Sequence, residues 1–454
     1  MAESTEKTIA TGTLWFSINS WLLRGVGLIT VFFILRNLSI YEYGLVELVL
    51  SIIPLFGILM LPGLNNVVIT DMAIEKGKGD ISEMKSLFIN FITLHAVLSV
   101  VAWAIVFFGA SIIDKFYSEQ VTQLIRIVSF FFLISPIRSA LGTVFTVYLK
   151  FFSLSILLFL EEFFKLIFIL LAFFVFDLRA NGVILAGLLG SFTAFIFVLP
   201  VYLKTYSEFS SVHIINKKPF WSVVHYHGKW SVFSSYLNQA GAKLRIWIVQ
   251  VISGTEAVAL FAVAEGLIGH TTALVPIGKV VAPIIPKFVD QKDKFLRIVN
   301  KSIKYQFFGH IVVAILGLTL FPVIILFLFP QYETSVTLYK IMLIMLIPAT
   351  FASVFNTVFF ALKKQKTLFF VNIYRVILVA IATPLGLHFW GIKGIAYSFL
   401  VVISLFTIER YRVLKKLVPE FKIILSDFWT FDDYDKVLID KFKSKLSSYK
   451  FLWF

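Results

Sequence analysis

The chain has 454 residues, of which 59% are hydrophobic and only 15% are charged, and its mean hydropathy is +0.90. This composition excludes an ordinary soluble domain and is typical of a protein that crosses a membrane many times. The formal net charge is +15, and the chain contains no cysteine, which excludes disulfides, thiol catalysis and cysteine metal sites.

Apolar runs of membrane length recur along the whole chain. They predict an all-α, polytopic membrane protein with about twelve transmembrane helices, near 13–35, 43–70, 87–110, 121–148, 152–176, 182–203, 230–252, 257–284, 305–329, 335–361, 368–389 and 394–409. The N-terminus lacks a strong secretory signal pattern, so the first segment is expected to be retained.

The first segment carries Arg24 near its middle, and a polar corner, Arg36–Gly44, joins it to the second segment. An arginine at that depth is costly in lipid, so Arg24 is expected to face protein or a wet cavity. The second segment is interrupted at Pro54 and at Pro62-Gly63. Broken helices together with buried cations favour a transporter over a simple membrane anchor.

An even number of helices places both termini on one side of the membrane. With the N-terminus inside, the outer loops hold few cations, namely Arg36, Lys115, Arg179 and Lys393, and the inner segments hold far more. The positive-inside rule therefore predicts a cell-membrane protein with cytoplasmic N- and C-termini.

The same pattern predicts four parts of the chain, which are a six-helix bundle at 1–204, a cytoplasmic linker at 205–227, a second six-helix bundle at 228–416 and a tail at 417–454. The tail mixes lysines with aromatic residues, which favours an amphipathic helix on the cytoplasmic leaflet. A partly disordered basic tail is the alternative.

The two halves resemble an internal repeat. At a shift of 214 residues, LSIYE at 38–42 aligns with ISGTE at 252–256, and Pro62 aligns with Pro276. Both halves have six predicted helices and begin on the same side. We therefore expect a pseudo-two-fold axis along the membrane normal.

The predicted membrane segments contain more cations than acids. The clear acids are Glu47, Glu161, Glu162 and Glu265. A basic interior attracts an anionic group, and the arginine fork suits phosphate because it binds two oxygens at once. Candidate substrate-binding cations lie near mid-depth and are Arg24, Arg138, Lys165, Lys243, Arg245 and Arg375. Cations nearer the segment ends, expected to snorkel to an interface, are Arg126, Lys229, Lys279 and Lys340.

Each mid-depth cation has an alternative role in an internal ion pair. Glu161 lies one helical turn before Lys165 and is placed to pair with it. Glu265, near the centre of the eighth segment with His270, has two interpretations of equal weight. It pairs with Lys243 or Arg245, or it binds H⁺ or Na⁺ and couples transport to an ion gradient. Further candidates for ion coupling are Glu162 and Glu47.

Other classes of site leave no trace in the sequence. It has no Walker-type loop, no His/Glu metal spacing and no nucleic-acid signature, so no cofactor, metal or nucleic-acid partner is expected. The isolated histidines His95 and His310 are expected to be hydrogen-bonded packing residues.

The stretch from Gly12 to Leu38, with YEYGL at 41–45 and PGL at 62–64, resembles Wzx-type polysaccharide biosynthesis flippases. These belong to the multidrug/oligosaccharidyl-lipid/polysaccharide exporter superfamily. The resemblance implies a V-shaped pair of bundles around a basic cavity, with alternating access and no enzymatic step. It implies an oligosaccharide on undecaprenyl diphosphate as substrate, other polysaccharide-assembly proteins as partners, and Arg24 as the first-helix cation of the family.

Three other functions stay open. A flippase for the peptidoglycan lipid precursor would need two further helices, which the sequence lacks. A drug or metabolite antiporter shares the superfamily, although a basic cavity disfavours cationic drugs. A membrane-embedded glycosyltransferase or polymerase would need a large outer loop or clustered outer acids, and the predicted outer loops are short.

Overall fold

The computed structural model describes residues 22–113, 119–214, 220–275, 277, 281, 285–423 and 428–430. These residues are nearly all helical and include no β-strand, which confirms the predicted all-α class. The helices are α1 (22–37), α2 (Ile40–Leu50), α3 (Ile52–Phe56), α4 (Leu64–Gly77), α5 (Ile81–Ile113), α6 (Glu119–Val147), α7 (Phe151–Phe174), α8 (Arg179–Ser210), α9 (Phe220–Val223), α10 (Lys229–Ser253), α11 (Thr255–Ala273), α12 (Lys292–Leu328), α13 (Glu333–Met342), α14 (Leu346–Ala361), α15 (Gln365–Trp390) and α16 (Lys393–Leu417).

Within the described chain, 8 helical spans are long and apolar enough to cross a membrane. They are Ile40–Met60, Ile81–Ile112, Glu119–Val147, Arg179–Ser210, Lys292–Leu328, Pro330–Ala361, Gln365–Trp390 and Lys393–Leu417. Helices α7 and α10 also have sufficient length but carry several charged side chains in their central turns. The chain is therefore a multi-pass membrane protein, and α7 and α10 are membrane-length helices that carry charged side chains away from their ends.

A capping box starts the second membrane segment. The backbone N–H of Glu42 donates to Ser39 Oγ at 3.2 Å, and the backbone N–H of Ser39 donates to Glu42 Oε2 at 2.8 Å. The two bonds satisfy donors that a helix N-terminus otherwise leaves unpaired. The polar corner predicted at Arg36–Gly44 is thus a helix stop followed at once by a helix start.

The second membrane segment is broken, as the prolines predicted. A turn at Ser51 precedes Pro54, and a 3₁₀ helix, Gly57–Met60, leads to Leu61 and Gly63, which both have positive φ. Helix α10 holds this irregular region, because Tyr236 Oη donates to the carbonyl of Leu55 at 3.0 Å and Ser231 Oγ donates to that of Gly63 at 3.1 Å. Side chains of α10 therefore satisfy backbone groups that a broken helix leaves free.

Two compact units make up the chain. The first comprises Met1–Ile268, Leu320–Met342 and Gln365–Val402, and the second comprises Gly269–Thr319, Leu343–Lys364 and Ile403–Phe454. The predicted division into 1–204, 205–227, 228–416 and 417–454 stays a prediction.

Helix α12 begins well before its predicted membrane segment. The predicted segment began near residue 305, whereas the helix begins at Lys292. Phe295, Val299 and Ile303 are almost fully buried and recur every four residues on one face. This amphipathic stripe anchors the charged extension within the second unit, although its overall composition is polar.

The chain after α16 packs back along α12. We call its described residues, 418–423 and 428–430, the C-terminal strap. Phe421 and Phe428 are buried, and Lys304 on α12 donates to the carbonyl of Thr430 at 2.6 Å. The predicted amphipathic tail beyond residue 430 lies outside the described residues.

Candidate functional site

Helices α6 and α7 meet through ionic side chains in the first unit. Arg138 Nη2 lies 2.8 Å from Glu161 Oε2, and Lys165 Nζ lies 3.3 Å from Glu162 Oε2. Lys165 therefore pairs with Glu162, one residue after the partner considered from the sequence. Glu161 turns instead to Arg138 on the neighbouring helix.

A second group of charges lies on α10 and α11. Lys243 Nζ is 3.7 Å from Glu265 Oε2, with 31% and 27% of the two side chains exposed. Of the two pairing partners left open for Glu265, Lys243 is the one within ion-pair distance. Arg245 is only 4% exposed, and its guanidinium stacks at 4.1 Å over the ring of Phe399.

Glu47 and Arg375 complete the group from α2 and α15. Tyr43 Oη donates to Glu47 Oε1 at 3.1 Å, and Arg375 Nη1 donates to Asn238 Oδ1 at 2.7 Å. The two partners, Tyr43 on α2 and Asn238 on α10, both belong to the first unit. Lys243 also lies on α10.

Electrostatic interactions join these pairs into one charged network. Glu47 interacts with Lys165, Lys243 and Glu265. Glu265 also interacts with Arg245 and Arg375, and Glu161 interacts with Lys165. The charged network is defined as Arg138, Glu161, Glu162, Lys165, Glu47, Lys243, Glu265, Arg245 and Arg375. All of its members belong to the first unit.

Two predicted site residues lie elsewhere. Arg24 is half-buried on α1, and His270 is half-buried on the part of α11 that belongs to the second unit. Among the cations expected to snorkel, Lys229 and Lys340 are exposed, and Arg126 bonds Ser111 Oγ at 2.9 Å. Lys279 lies outside the described residues.

Sequence reasoning missed three polar residues at this site. Tyr43 lies four residues before Glu47 on the same helix face, and that spacing was a usable signal. Tyr332 is fully buried with its ring 6.4 Å from that of Tyr43, although it lies far away in sequence. Asn238 gave no signal, because its role depends on the packing of α10 against α15.

The charged network holds most of its cations in ion pairs or hydrogen bonds. Most of its cations already have a carboxylate or amide partner, which offsets the cost of placing charge within the membrane. Their side chains keep some exposure, 56% for Arg138 and 32% for Lys165. Among the described residues, no group of three or more His, Cys, Asp or Glu side chains is arranged to hold a metal.

Comparison with family models identifies one protein family. The family model described as "Polysaccharide biosynthesis protein" matches residues 9–289. No curated protein sequence matches.

Several solved structures share the fold. An inward-facing multidrug resistance MATE family transporter of the MOP superfamily aligns over 87% of this chain and 94% of its own, with 13% identity and a TM-score of 0.74. A MOP superfamily transporter from Pyrococcus furiosus aligns over 90% and 96%, with 13% identity and a TM-score of 0.68. A variant of a Vibrio cholerae MATE transporter aligns over 91% and 99%, with 15% identity and a TM-score of 0.58.

At these identities the solved structures establish the fold alone, namely the two-bundle helical fold of the MATE transporters. The sequence match is more specific and covers more than half of the chain. This protein belongs to the polysaccharide biosynthesis protein family.

Proposed function

We propose that the protein is a flippase that moves a polyprenyl-diphosphate-linked oligosaccharide from the cytoplasmic to the outer leaflet by alternating access. Family membership supports a role in surface polysaccharide assembly, and the MATE-like fold supports transport. The site of action in this proposal is the cell membrane, with both termini in the cytoplasm, alongside other polysaccharide-assembly proteins.

The observation that carries the proposal is the charged network. A diphosphate loses strong hydration on entering the membrane, and only cations already held at that depth can offset the loss. Lys165, Lys243 and Arg375 are half-buried on three different helices and share electrostatic interactions with Glu47 or Glu265. In the proposal they bind the diphosphate with Arg138, Arg245 and Arg24, while the lipid tail stays in the bilayer.

Ion coupling belongs to the same proposal. Glu265 interacts with Lys243, Arg245 and Arg375, so a proton or Na⁺ on its carboxylate would change the field at three cations. Glu47 interacts with one of these cations, Lys243, while Glu162 and His270 are secondary candidates.

The test replaces Lys243 and Arg375 together by glutamine and follows flipping of a fluorescent lipid-linked oligosaccharide in proteoliposomes. Two lost charge-assisted bonds, at roughly 1.5 kcal/mol or more each, predict a fall in transport of about a hundredfold or more. The matched control is Lys229→Gln, which removes an exposed cation from the same helix. Transport at the wild-type rate by the inserted double variant would refute the proposal.

The second candidate is a drug or metabolite antiporter. The fold favours it, because the MATE structures include multidrug resistance proteins. In the transporter from Pyrococcus furiosus, reverse polarity of the binding pocket suggests a different function. Drug resistance conferred on a sensitive host, without any effect on surface glycan, would favour this candidate.

A further inference from the structure

Three buried polar atoms line one face of α5 without a partner. They are His95 Nδ1, Ser99 Oγ and Trp103 Nε1, and none of them bonds any atom of the described residues. His95 is 3% exposed and Ser99 is 0% exposed. Their spacing of four residues places them one above another along the helix.

The facing helix, α6, adds polar groups to the same interface. Ser135 Oγ lies 3.2 Å from His95 Nε2, so α6 approaches one side of the imidazole and leaves Nδ1 unpaired. One residue further, Pro136 has no N–H, so the carbonyl of Phe132 cannot receive its usual helical hydrogen bond. Phe132 lies three residues before Ser135, and that spacing places it on the face of α6 that meets His95. Nearer the other end of α6, Arg126 Nε is also buried without a partner in the described chain.

Aromatic side chains connect the two ends. Trp103 packs against Phe107 at 5.4 Å, and the Arg126 guanidinium lies 5.9 Å from the centre of the same Phe107 ring. We call His95, Ser99, Trp103, the Phe132 carbonyl and Arg126 the polar seam. Along α5 its members extend from His95 toward the Arg126–Ser111 hydrogen bond.

The chemistry of the polar seam selects its ligand. Trp103 Nε1 and Arg126 Nε only donate hydrogen bonds, whereas the Phe132 carbonyl only accepts them. A cation would be repelled by the donors and an anion by the carbonyl. Water donates and accepts, and buried waters in proteins typically make two to four such bonds. We propose that a file of bound water molecules occupies the polar seam between α5 and α6, from His95 to Arg126.

The direct test is deuterium exchange at the imidazole C2 carbon, which needs water at the ring. The intact protein is exchanged in nanodiscs, and mass spectrometry of its histidine-containing peptides then gives the exchange at each ring. His310 is the matched control. It is also 3% exposed, but its Nδ1 lies 2.8 Å from Thr350 Oγ1 and 3.0 Å from the Leu346 carbonyl. His95 is expected to exchange faster than His310, and an equally slow His95 would overturn the proposal.

Ser99→Val removes one hydroxyl from the polar seam and fills its space, so exchange at His95 is expected to fall toward the rate of His310. Ser302→Val is the control, because Ser302 is also buried but its hydroxyl donates to the Ile298 carbonyl of its own helix at 2.7 Å. This variant should leave His95 unchanged.

Radiolytic labelling of the wild-type protein gives a readout that needs no variant. Hydroxyl radicals formed from bound water should oxidise Trp103 despite its buried indole nitrogen, with the 74% exposed Trp429 as positive reference. A labelled Trp429 beside an unlabelled Trp103 would show a dry interface and overturn the proposal.

Discussion

Glu161 and Arg138 form an ion pair whose two members lie in very different surroundings. The side chain of Glu161 is 8% exposed, whereas that of Arg138 is 56% exposed, and Glu161 Oε1 has no partner in the described chain. Loss of the arginine would leave a buried carboxylate alone. Loss of the acid would leave an arginine that can turn to a polar environment.

We therefore predict that Arg138→Ala lowers the thermal unfolding midpoint more than Glu161→Gln does. Stranding a buried charge costs about 3 kcal/mol or more, whereas an amide in place of Glu161 carries no charge to strand. Tryptophan fluorescence of the purified protein during heating measures both midpoints. Equal shifts, or a larger shift for Glu161→Gln, would contradict the asymmetry.

Residue identity and helical spacing indicated which charges would be buried but did not settle their partners. Glu162 lies three residues before Lys165 and Glu161 lies four before it, so both were within reach along the helix. Arg138 on α6 decides the pairing, because it forms an ion pair with Glu161 and leaves Glu162 to Lys165. Such cross-helix contacts depend on helix rotation, and a sequence with no regular polar stripe does not fix that rotation.

Between elements, the start of α2 approaches the start of α11 closely within the first unit. A Cβ added at Gly44 would overlap the carbonyl oxygen of Thr255. Gly44 follows the 38–42 segment of the predicted repeat, and Thr255 lies within the matching 252–256 segment. Gly44, two residues beyond the first aligned segment, thus contacts the second aligned segment through a residue without a side chain.

Gly44→Ala is expected to push α2 away from α11 and to destabilise the protein by about 1–3 kcal/mol. Gly142→Ala is the control, because a Cβ there meets no atom within 4 Å and the helical backbone favours alanine. Midpoints of unfolding monitored by tryptophan fluorescence compare the two. A Gly44→Ala protein as stable as Gly142→Ala would show that the helices separate at no cost.

The sequence predicted helices well where they are apolar or capped. Ser39 and Glu42 have the spacing of a capping box, and the breaks near Pro54 and Pro62 follow from proline chemistry. The extension of α12 was not predicted, because the average hydropathy of a window does not register which helix face its apolar residues occupy. Three apolar residues on one face, Phe295, Val299 and Ile303, were hidden among lysines and aspartates.

At the scale of the whole chain, charge and hydropathy predict an orientation in the membrane. The apolar helices identify a multi-pass protein, and the cations outside them favour cytoplasmic termini. The chain contains no cysteine, so a single introduced cysteine is the only thiol that a reagent can find.

We predict that a membrane-impermeant maleimide labels Arg36→Cys and Lys393→Cys in intact cells. It should label Lys78→Cys and Lys415→Cys only after the membrane is opened. All four positions are exposed in the structure, so access to the reagent depends on the side of the membrane. Labelling of Lys78→Cys in intact cells would invert the proposed topology.

The C-terminal strap has a practical consequence for anyone who attaches a reporter to this protein. Lys304, Phe421 and Phe428 are buried where the strap lies against α12, and Phe421 also packs on Phe355 of α14. A fluorescent fusion joined at Leu417 would remove that cover and leave an ammonium group and several rings bare. A reporter joined beyond Thr430 would leave these groups covered by the C-terminal strap. Its fluorescence would then come from a protein that retains the strap.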